Sequence, residues 1–580
     1  MSAFSRHLPF TDLGQVRPRD LAGDLTAALV STFMAVPQGI AYAVIAGMPP
    51  AMGLYAAAIP TIVGSLLRSS RHVITGPTNA VSLLVGGGVA LLTGADPLMI
   101  GVTLAVMVGV LQTCAGALRL GTVVDYISNP VVLGYITGAG MLIGLGQLPN
   151  VTGTPSAQGH LVEKLFLWVQ SLGQTSHMAV AMALGTAALI LALRKVHRMI
   201  PGALIAMAVA TALSMVFDLN AAGLAVISDL SPVPAGLSPL TVPDLSLLPT
   251  LLPLAVAVTV LSLVESSSVA RAIASKTGQR LDTSAEFTGQ GIANIVAGFV
   301  GAYPTSGSLS RSALNEQTGA KTRLSGVFAG LLMILVLLLF GPVVNHTPIA
   351  SLAGLLLIVA VDLVDLRKIK LTMKGQFGDK LAFVATMLGT WLLPLDKAIY
   401  LGVAISLVLF LRRARLLVIK ELAMDEEGRL QEVEGKREHM HFERCDSVHI
   451  LNVEGRLFFG VTGELQTALD DVIRETEADV IVLRLKRTQG MDVTIASVLE
   501  SAAKRLQAQK RHLVLAGVRQ DTMAILERTG IAQTIGEDKI FTSRDRWFES
   551  MRHAIGHACA LRPQGRPCEK CPLGRLIDGE

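Results

Sequence analysis

The sequence predicts a polytopic α-helical membrane protein of about fourteen transmembrane segments, followed by a cytoplasmic α/β domain. Three observations carry this. Of 580 residues, 51% are hydrophobic and only 16% charged, with mean hydropathy +0.54, whereas a soluble globular chain is about a quarter charged. The apolar residues come in successive runs of about 18 or more, each long enough to cross roughly 30 Å of hydrocarbon. After Arg415 short strand-like runs alternate with helix-like ones, the pattern of a mixed-sheet α/β unit.

The first twenty residues, MSAFSRHLPFTDLGQVRPRD, are polar and mildly basic and read as a cytoplasmic N-terminus without a signal peptide. Residues 21–415 read as the transmembrane domain, with spans beginning near residues 23, 50, 77, 98, 127, 177, 201, 249, 284, 305, 324, 348, 380 and 396 at the usual span length of about 20 residues. Basic residues follow every second span: Arg68 and Arg71, Arg119, Arg194 to Arg198, Arg271 to Arg280, Lys321 and Arg323, Arg367 to Lys374, and Arg412 to Arg415. The opposite loops hold few, with Lys164 and Lys397 as exceptions, and 218–248 holds Asp218, Asp229 and Asp244 but no basic residue. Positive-inside bias therefore places both termini in the cytoplasm, and the membrane is expected to be a bacterial inner (plasma) membrane. Residues 416–443 read as a charged linker, 444–555 as the α/β domain and 556–580 as a cysteine-containing tail.

Spans three and ten stand out. TGPTNAVSLLVGGGVA opens the third and PTSGSLSRSALN the tenth, each with a Pro-Thr pair, a glycine and small hydroxylated residues. They lie seven spans apart, as repeated halves require, and paired Gly/Pro-interrupted segments point to a transporter binding site. A half-helix that starts within the membrane presents free N–H groups and a positive dipole end, which attract an anion. Arg311, flanked by Ser308, Ser310 and Ser312, would then greet an anion, or a carboxylate when the site is empty, because a charge at that depth needs a partner or a water-filled cavity. Glu265 is the second deep ionisable residue, and a proton on it can be coupled to the state of Arg311. Gln38 and Tyr42 lie four apart on one helical face and both can donate hydrogen bonds. Other readings stand beside these: Arg311 snorkelling to an interface, Glu265 neutralising Arg271, and Gln38, Tyr42 and the glycines serving helix packing.

At these residues the chain resembles the sulfate permease (SulP) family. The stretches that carry the likeness are VPQGIAYAVIAGMPPAMGLYAAAIP (36–60), TGPTNAVSLLV (75–85), NPVVLGYITGAGMLIGLGQLPN (129–150) and SGSLSRSALNEQTGAKT (306–322). The part after the membrane domain resembles a STAS domain, the family's usual partner. The resemblance implies two inverted seven-segment repeats, a core and a gate, elevator-like movement and a homodimer. It implies an anion site between the starts of spans three and ten, with substrate-binding Gln38, Tyr42, Thr78, Asn79, Ser310 and Arg311. Glu265 matches an acidic residue that proton-coupled sulfate transporters use for coupling. Related sodium/bicarbonate transporters carry an Asp followed four residues later by Thr there; Glu265 and Val269 depart from that pattern.

Sulfate is thus the expected substrate and the proton the coupling ion. A dicarboxylate or bicarbonate transporter, or an uncoupled exchanger or channel, remains the alternative on the same fold. A membrane-tethered signalling protein is a third reading, against which the transport elements in both halves argue. No GxxxxGK[ST] phosphate loop is present in the sequence, which speaks against a primary pump, and no nucleophile–base arrangement suggests an enzyme. Lipid is an expected partner; no cofactor and no nucleic acid are expected. Thr494, two residues after Asp492, resembles the phosphorylated position of STAS-type antagonists, although the pair can equally cap a helix. His553, His557, Cys559, Cys568 and Cys571 cluster near the end, the last two as CxxC, a spacing that zinc ligands use; a reduced cytoplasmic tail is the plainer reading.

Overall fold

Prolines and glycines punctuate the apolar runs, and the helices start on them. Proline occupies the first turn of spans one, two, four, five and eight, where its missing N–H costs no intrahelical bond. The computed structural model describes residues 16–90, 92, 94–121, 127–155, 161–196, 200–415, 417–424, 430–433, 445–543 and 549–562. Two compact units divide the chain, Met1–Leu407 and Val408–Glu580.

All fourteen expected spans are helices: Pro18–Ile45, Pro50–Leu67 (stepped at Ala58), Asn79–Val89, Pro97–Ala117, Asn129–Gly146, His177–Val196, Gly202–Val216, Leu248–Thr277, Thr283–Phe299, Leu309–Gln317, Leu324–Val344, Ile349–Leu363, Phe377–Leu392 and Leu395–Ala414. Among the described residues eight are long and apolar enough to cross a bilayer unaided. Spans three and ten fall short because each is half a helix, 11 and 9 residues long, preceded by an extended arm. The arms are strands β1 (Thr75–Gly76) and β2 (Ser306–Gly307), which pair antiparallel, Thr75 opposite Gly307 and Gly76 opposite Ser306.

The packing repeats with a period of seven spans. Span eleven packs on two and span four on nine; span one packs on eleven and span eight on four; span five packs on thirteen and span twelve on six. Advancing both members of one pair by seven, cyclically, yields the other. The antiparallel β1–β2 pair joins equivalent points of the two halves, as an inverted repeat requires. Spans one to four pack with eight to eleven, and spans five to seven with twelve and thirteen, while Ser406 of span fourteen donates to Ser128 Oγ at the head of span five at 3.1 Å; these are the core and gate sets. Small residues bring helices together where lipid offers no hydrophobic drive: a Cβ on Gly109 of span four would stand 2.6 Å from the carbonyl oxygen of Gly291 on span nine.

The second unit is built on a six-stranded sheet in the order β4-β3-β5-β6-β7-β8. Its strands are β3 (Val418–Met424), β4 (Leu430–Glu432), β5 (Val448–Leu457), β6 (Val480–Met491), β7 (His512–Val518) and β8 (Ile540–Thr542). The strands β5 to β8 are parallel, and β3 and β4 add antiparallel at the edge. Alternate residues serve opposite faces. Leu451, Val453, Ile481, Leu483 and Leu485 pack with the helices Thr462–Glu475 and Val493–Ala508, while Val448, Ile450, Val480 and Val482 pack with the helix Glu549–Ala560. Two sequence expectations change here. The stretch expected as linker, 416–443, contains β3 and β4; the charges of Lys420, Glu421 and Glu432 mask these strands in the sequence. The expected tail boundary at 556 falls inside the helix Glu549–Ala560, whose Ala554, Ile555 and Ala558 are buried.

Asp492 caps the helix Val493–Ala508: Oδ1 accepts the Ile495 N–H at 2.9 Å, and Oδ2 accepts the Phe459 N–H. Thr494 is exposed in the first turn, so the capping reading describes Asp492, and the Thr494 hydroxyl makes no contribution to the cap. Asp492→Ala is expected to speed amide exchange along 493–508 by about 1 kcal/mol of lost protection, with Thr494→Ala leaving it unchanged, both measured by hydrogen exchange on the full chain.

Candidate functional site

The site forms where both half-helices begin. Thr78 and Ser308 occupy their N-cap positions with extended backbone, at φ −127°, ψ 154° and φ −75°, ψ 117°. Neither side chain caps its helix, although Ser and Thr ordinarily accept first-turn N–H groups there. For Thr78 the reason is visible: its hydroxyl donates to Glu265 Oε2 at 2.9 Å. Asn79, half-buried, turns Oδ1 back onto the neighbouring Ala80 N–H at 2.7 Å. The rest of the first turns stay uncapped by side chains, with their dipoles directed at the β1–β2 crossing.

Arg311, in the first turn of span ten, is 1% exposed. Its Nη2 donates to Pro77 O at 3.1 Å, and its Nε has no partner. The guanidinium lies over Gly76, where a Cβ would stand 2.8 Å from Nη1 and 3.0 Å from Cζ. This burial rules out a snorkelling arginine. It also corrects the expectation of a carboxylate partner: among the described residues Arg311 makes no ion pair, and Glu265 is bound to Thr78 instead of to Arg311. A guanidinium sealed from water with no counter-charge and spare donors is costly unless a ligand completes it.

Two tyrosines lie near this cation. Tyr42, 5% exposed, lies close enough to Arg311 and Glu265 to feel both charges. Tyr303 is fully buried and shares a 2.8 Å hydrogen bond with Ser82 Oγ. Gln38 Oε1 is buried without a partner. Ser310, by contrast, is exposed on the open side of span ten's first turn. The structure therefore gathers Tyr42, Thr78, Asn79, Arg311 and Glu265 around the crossing, with Ser310 at its rim; Gln38 lies one helical turn before Tyr42 on span one. The matched Pro-Thr pairs do not correspond: Pro77-Thr78 follows β1, whereas Pro304-Thr305 precedes β2.

What the sequence reading missed lies behind the strands. Arg68, taken there as a cytoplasmic loop charge, is 0% exposed and bonded to Glu286, Gln290, Thr75 and Ser266. Glu286, Gln290 and Asn294 line one face of span nine, and Asn294 Oδ1 accepts the Thr305 N–H and hydroxyl, both at 2.7 Å. Asp24, buried in span one, accepts the N–H groups of Lys321 at 2.7 Å and Thr322 at 3.0 Å, tying the turn after span ten to span one. The signal that could have found the span-nine ladder is EFTGQGIAN itself, with polar residues at i, i+4 and i+8 of a membrane helix.

The candidate metal ligands are dispersed. His557 Nε2 lies 3.3 Å from Asp538 Oδ2 and its ring against Phe541. Cys559 packs in the apolar cluster beneath the Glu549–Ala560 helix. Among the described residues no group of three or more His, Cys, Asp or Glu could hold a metal; Cys568 and Cys571 lie outside the described residues.

Comparison with known proteins agrees with this geometry. Residues 21–386 match the profile of the sulfate permease family and residues 439–546 that of the STAS domain. YvdB of Bacillus subtilis is 29% identical over 90% of this chain and 96% of its own length. Sulfate transporter 4.1, chloroplastic, of Arabidopsis thaliana is 26% identical over 89% of this chain and 78% of its own. Among solved structures, the murine solute carrier 26 family member A9 anion transporter in its inward-facing state superposes with TM-score 0.85 at 20% identity, over 97% of this chain and 95% of that one. The transmembrane domain of the cyanobacterial bicarbonate transporter BicA gives TM-score 0.57 at 24% identity, over 68% of this chain and 98% of that one.

Proposed function

Since the chain belongs to the sulfate permease family, a family of membrane transporters, we propose that it is a secondary active transporter that takes up sulfate together with protons. The observation that carries the reading is Arg311, buried at the meeting of two uncapped half-helix N-termini and without a carboxylate partner among the described residues. One fixed guanidinium, several N–H groups and flanking hydroxyls suit a tetrahedral oxyanion, because a divalent anion gains from both the charge and the two dipole ends.

Coupling runs through Glu265. With Glu265 protonated, the site carries the net charge of Arg311 and accepts a divalent anion. With Glu265 ionised, the carboxylate and a divalent anion about 4–8 Å apart repel by about 4–8 kcal/mol at an effective dielectric of about 20. Thr78 links the carboxyl to the start of span three, so the proton and the anion act on neighbouring atoms instead of competing for one guanidinium. The core set then slides against the gate set to change the accessible face. In this reading the protein is a homodimer in a bacterial inner membrane with both termini cytoplasmic.

Glu265→Gln is expected to abolish the response of uptake to an inward proton gradient, since its neutral amide holds the protonated-like state at every pH. Initial uptake rates in proteoliposomes between about pH 5 and 8 check this; an unchanged pH profile would remove Glu265 from the coupling. Bicarbonate is the second reading, supported by the cyanobacterial transporter that shares the scaffold, with dicarboxylates and uncoupled exchange behind it. Competition by bicarbonate and by succinate against labelled sulfate separates them.

A further inference from the structure

Arg68 is the largest fully buried charged side chain besides Arg311, and it serves three separate elements with one planar group. Nε donates to Glu286 Oε2 at 2.7 Å, and Nη1 donates to Gln290 Oε1 at 2.7 Å, both on span nine. Nη1 also donates to Thr75 Oγ1 of β1 at 3.0 Å, and Nη2 donates to Ser266 Oγ on span eight, the residue after Glu265. The surroundings lock this arrangement. The second Glu286 oxygen accepts the Ser70 N–H, Thr61 donates its hydroxyl to Thr75 O at 2.6 Å, and Gln290 Nε2 donates to Thr305 O, beside β2, at 3.0 Å.

We propose that Arg68 is a positioning residue of the anion site: its guanidinium, anchored by Glu286 and Gln290, holds Thr75 of β1 against Ser266 of span eight. Gly76 and Pro77 thereby stay beneath Arg311, and Glu265 stays within reach of Thr78. This inference rests on the anion-transport reading for its functional consequence, although the clamp itself is independent of it. The charge of Arg68 is matched by Glu286 at 2.7 Å, so the pair adds little net field and leaves the site's positive charge to Arg311. What the pair supplies is geometry. Guanidinium presents five donors in a rigid fork, whereas an ammonium presents three on a flexible stem. Lysine would keep the charge and lose the simultaneous hold on span nine, β1 and span eight.

Two variants test this without leaving an ion stranded. Arg68→Lys keeps the charge. The double variant Arg68→Met/Glu286→Met removes both charges together, because deleting one partner alone leaves a buried ion and can unfold the chain. In proteoliposomes each is expected to raise the KM for sulfate by about tenfold or more while Vmax, normalised to folded protein, changes by less than about threefold. Hydrogen exchange on the full-length protein is expected to accelerate by about tenfold or more at amides 73–76, 78–79 and 305–309. KM and exchange both within about twofold of the parent would overturn the proposal. So would a fall in the normalised Vmax alone with KM unchanged, which places the role of Arg68 in turnover and not in shaping the anion site. If the parent protein itself moves no anion, the transport reading fails separately, and the exchange measurement still decides whether Arg68 holds the strands.

Discussion

Arg311→Gln is expected to eliminate saturable anion uptake and to leave a folded protein that melts no lower than the parent. Both halves of this result follow from the same geometry. Truncating a buried, hydrogen-bonded charge opposite a charged ligand costs about 2–5 kcal/mol, which is about 30-fold to a few thousand-fold in affinity. Uptake at sub-millimolar sulfate then falls to the level of empty liposomes. Stability behaves differently because Arg311 has no carboxylate partner among the described residues, and its hydrogen bond is to Pro77 O at 3.1 Å. Removing an uncompensated buried cation relieves desolvation and strands no counter-ion. Adding sulfate should raise the melting temperature of the parent protein, through binding to the folded state, and should leave the variant's unchanged. A variant that still shows saturable uptake, or still gains stability from sulfate, would move the anion away from Arg311.

Gly76→Ala is expected to raise the KM for the anion by tenfold or more, about 1.4 kcal/mol. The alanine methyl would stand 2.8 Å from Arg311 Nη1 and 3.0 Å from Cζ, closer than van der Waals contact allows, so the guanidinium must leave its seat over the β1 backbone. Gly307→Ala on the partner strand is the control. There the added Cβ meets Ser266 Oγ at 3.0 Å, a Val73 methyl at 3.1 Å and Ser266 Cα at 3.2 Å, contacts tight enough to require shifts of a few tenths of an ångström but none of them to Arg311. The two glycines share one small antiparallel ladder. A severe effect at Gly76 with a mild one at Gly307 therefore excludes a general intolerance of side chains in the strands and reports the guanidinium together with the positive φ of +158° that Gly307 lacks. Uptake kinetics on both variants check this; equal effects would discard the argument.

Much of this architecture is legible in the sequence. Apolar runs separated by alternating basic loops place the fourteen spans, because hydrocarbon thickness and positive-inside bias act locally along the chain. The half-helices at 79 and 309 are visible as Gly/Pro-interrupted segments, and Arg311 as a charge that nothing nearby in sequence explains. The rest required tertiary structure. Arg68 looks like any basic residue after a span, and its partner Glu286 is 218 residues away. No local pattern distinguishes a loop arginine from a buried clamp. The absence of caps at Thr78 and Ser308 was equally hidden, since both residue types are ordinary cap formers and only the direction of the Thr78 hydroxyl, toward Glu265, frees the helix start. The expected partnership of Arg311 with Glu265 failed for the same reason: charge complementarity is readable in sequence, but the Thr78 hydroxyl that intervenes is not. Strands β3 and β4 escaped because Lys420, Glu421 and Glu432 make an edge hairpin look like linker.

The most direct measurement is initial uptake of labelled sulfate into proteoliposomes carrying the purified chain, across external sulfate concentrations, with and without an inward proton gradient. Saturable uptake that accelerates with the gradient, and is lost in Arg311→Gln, is the result predicted by an anion seated between two half-helices beside a protonatable carboxylate. Sulfate uptake that neither saturates nor responds to the gradient, or that survives Arg311→Gln, would contradict it.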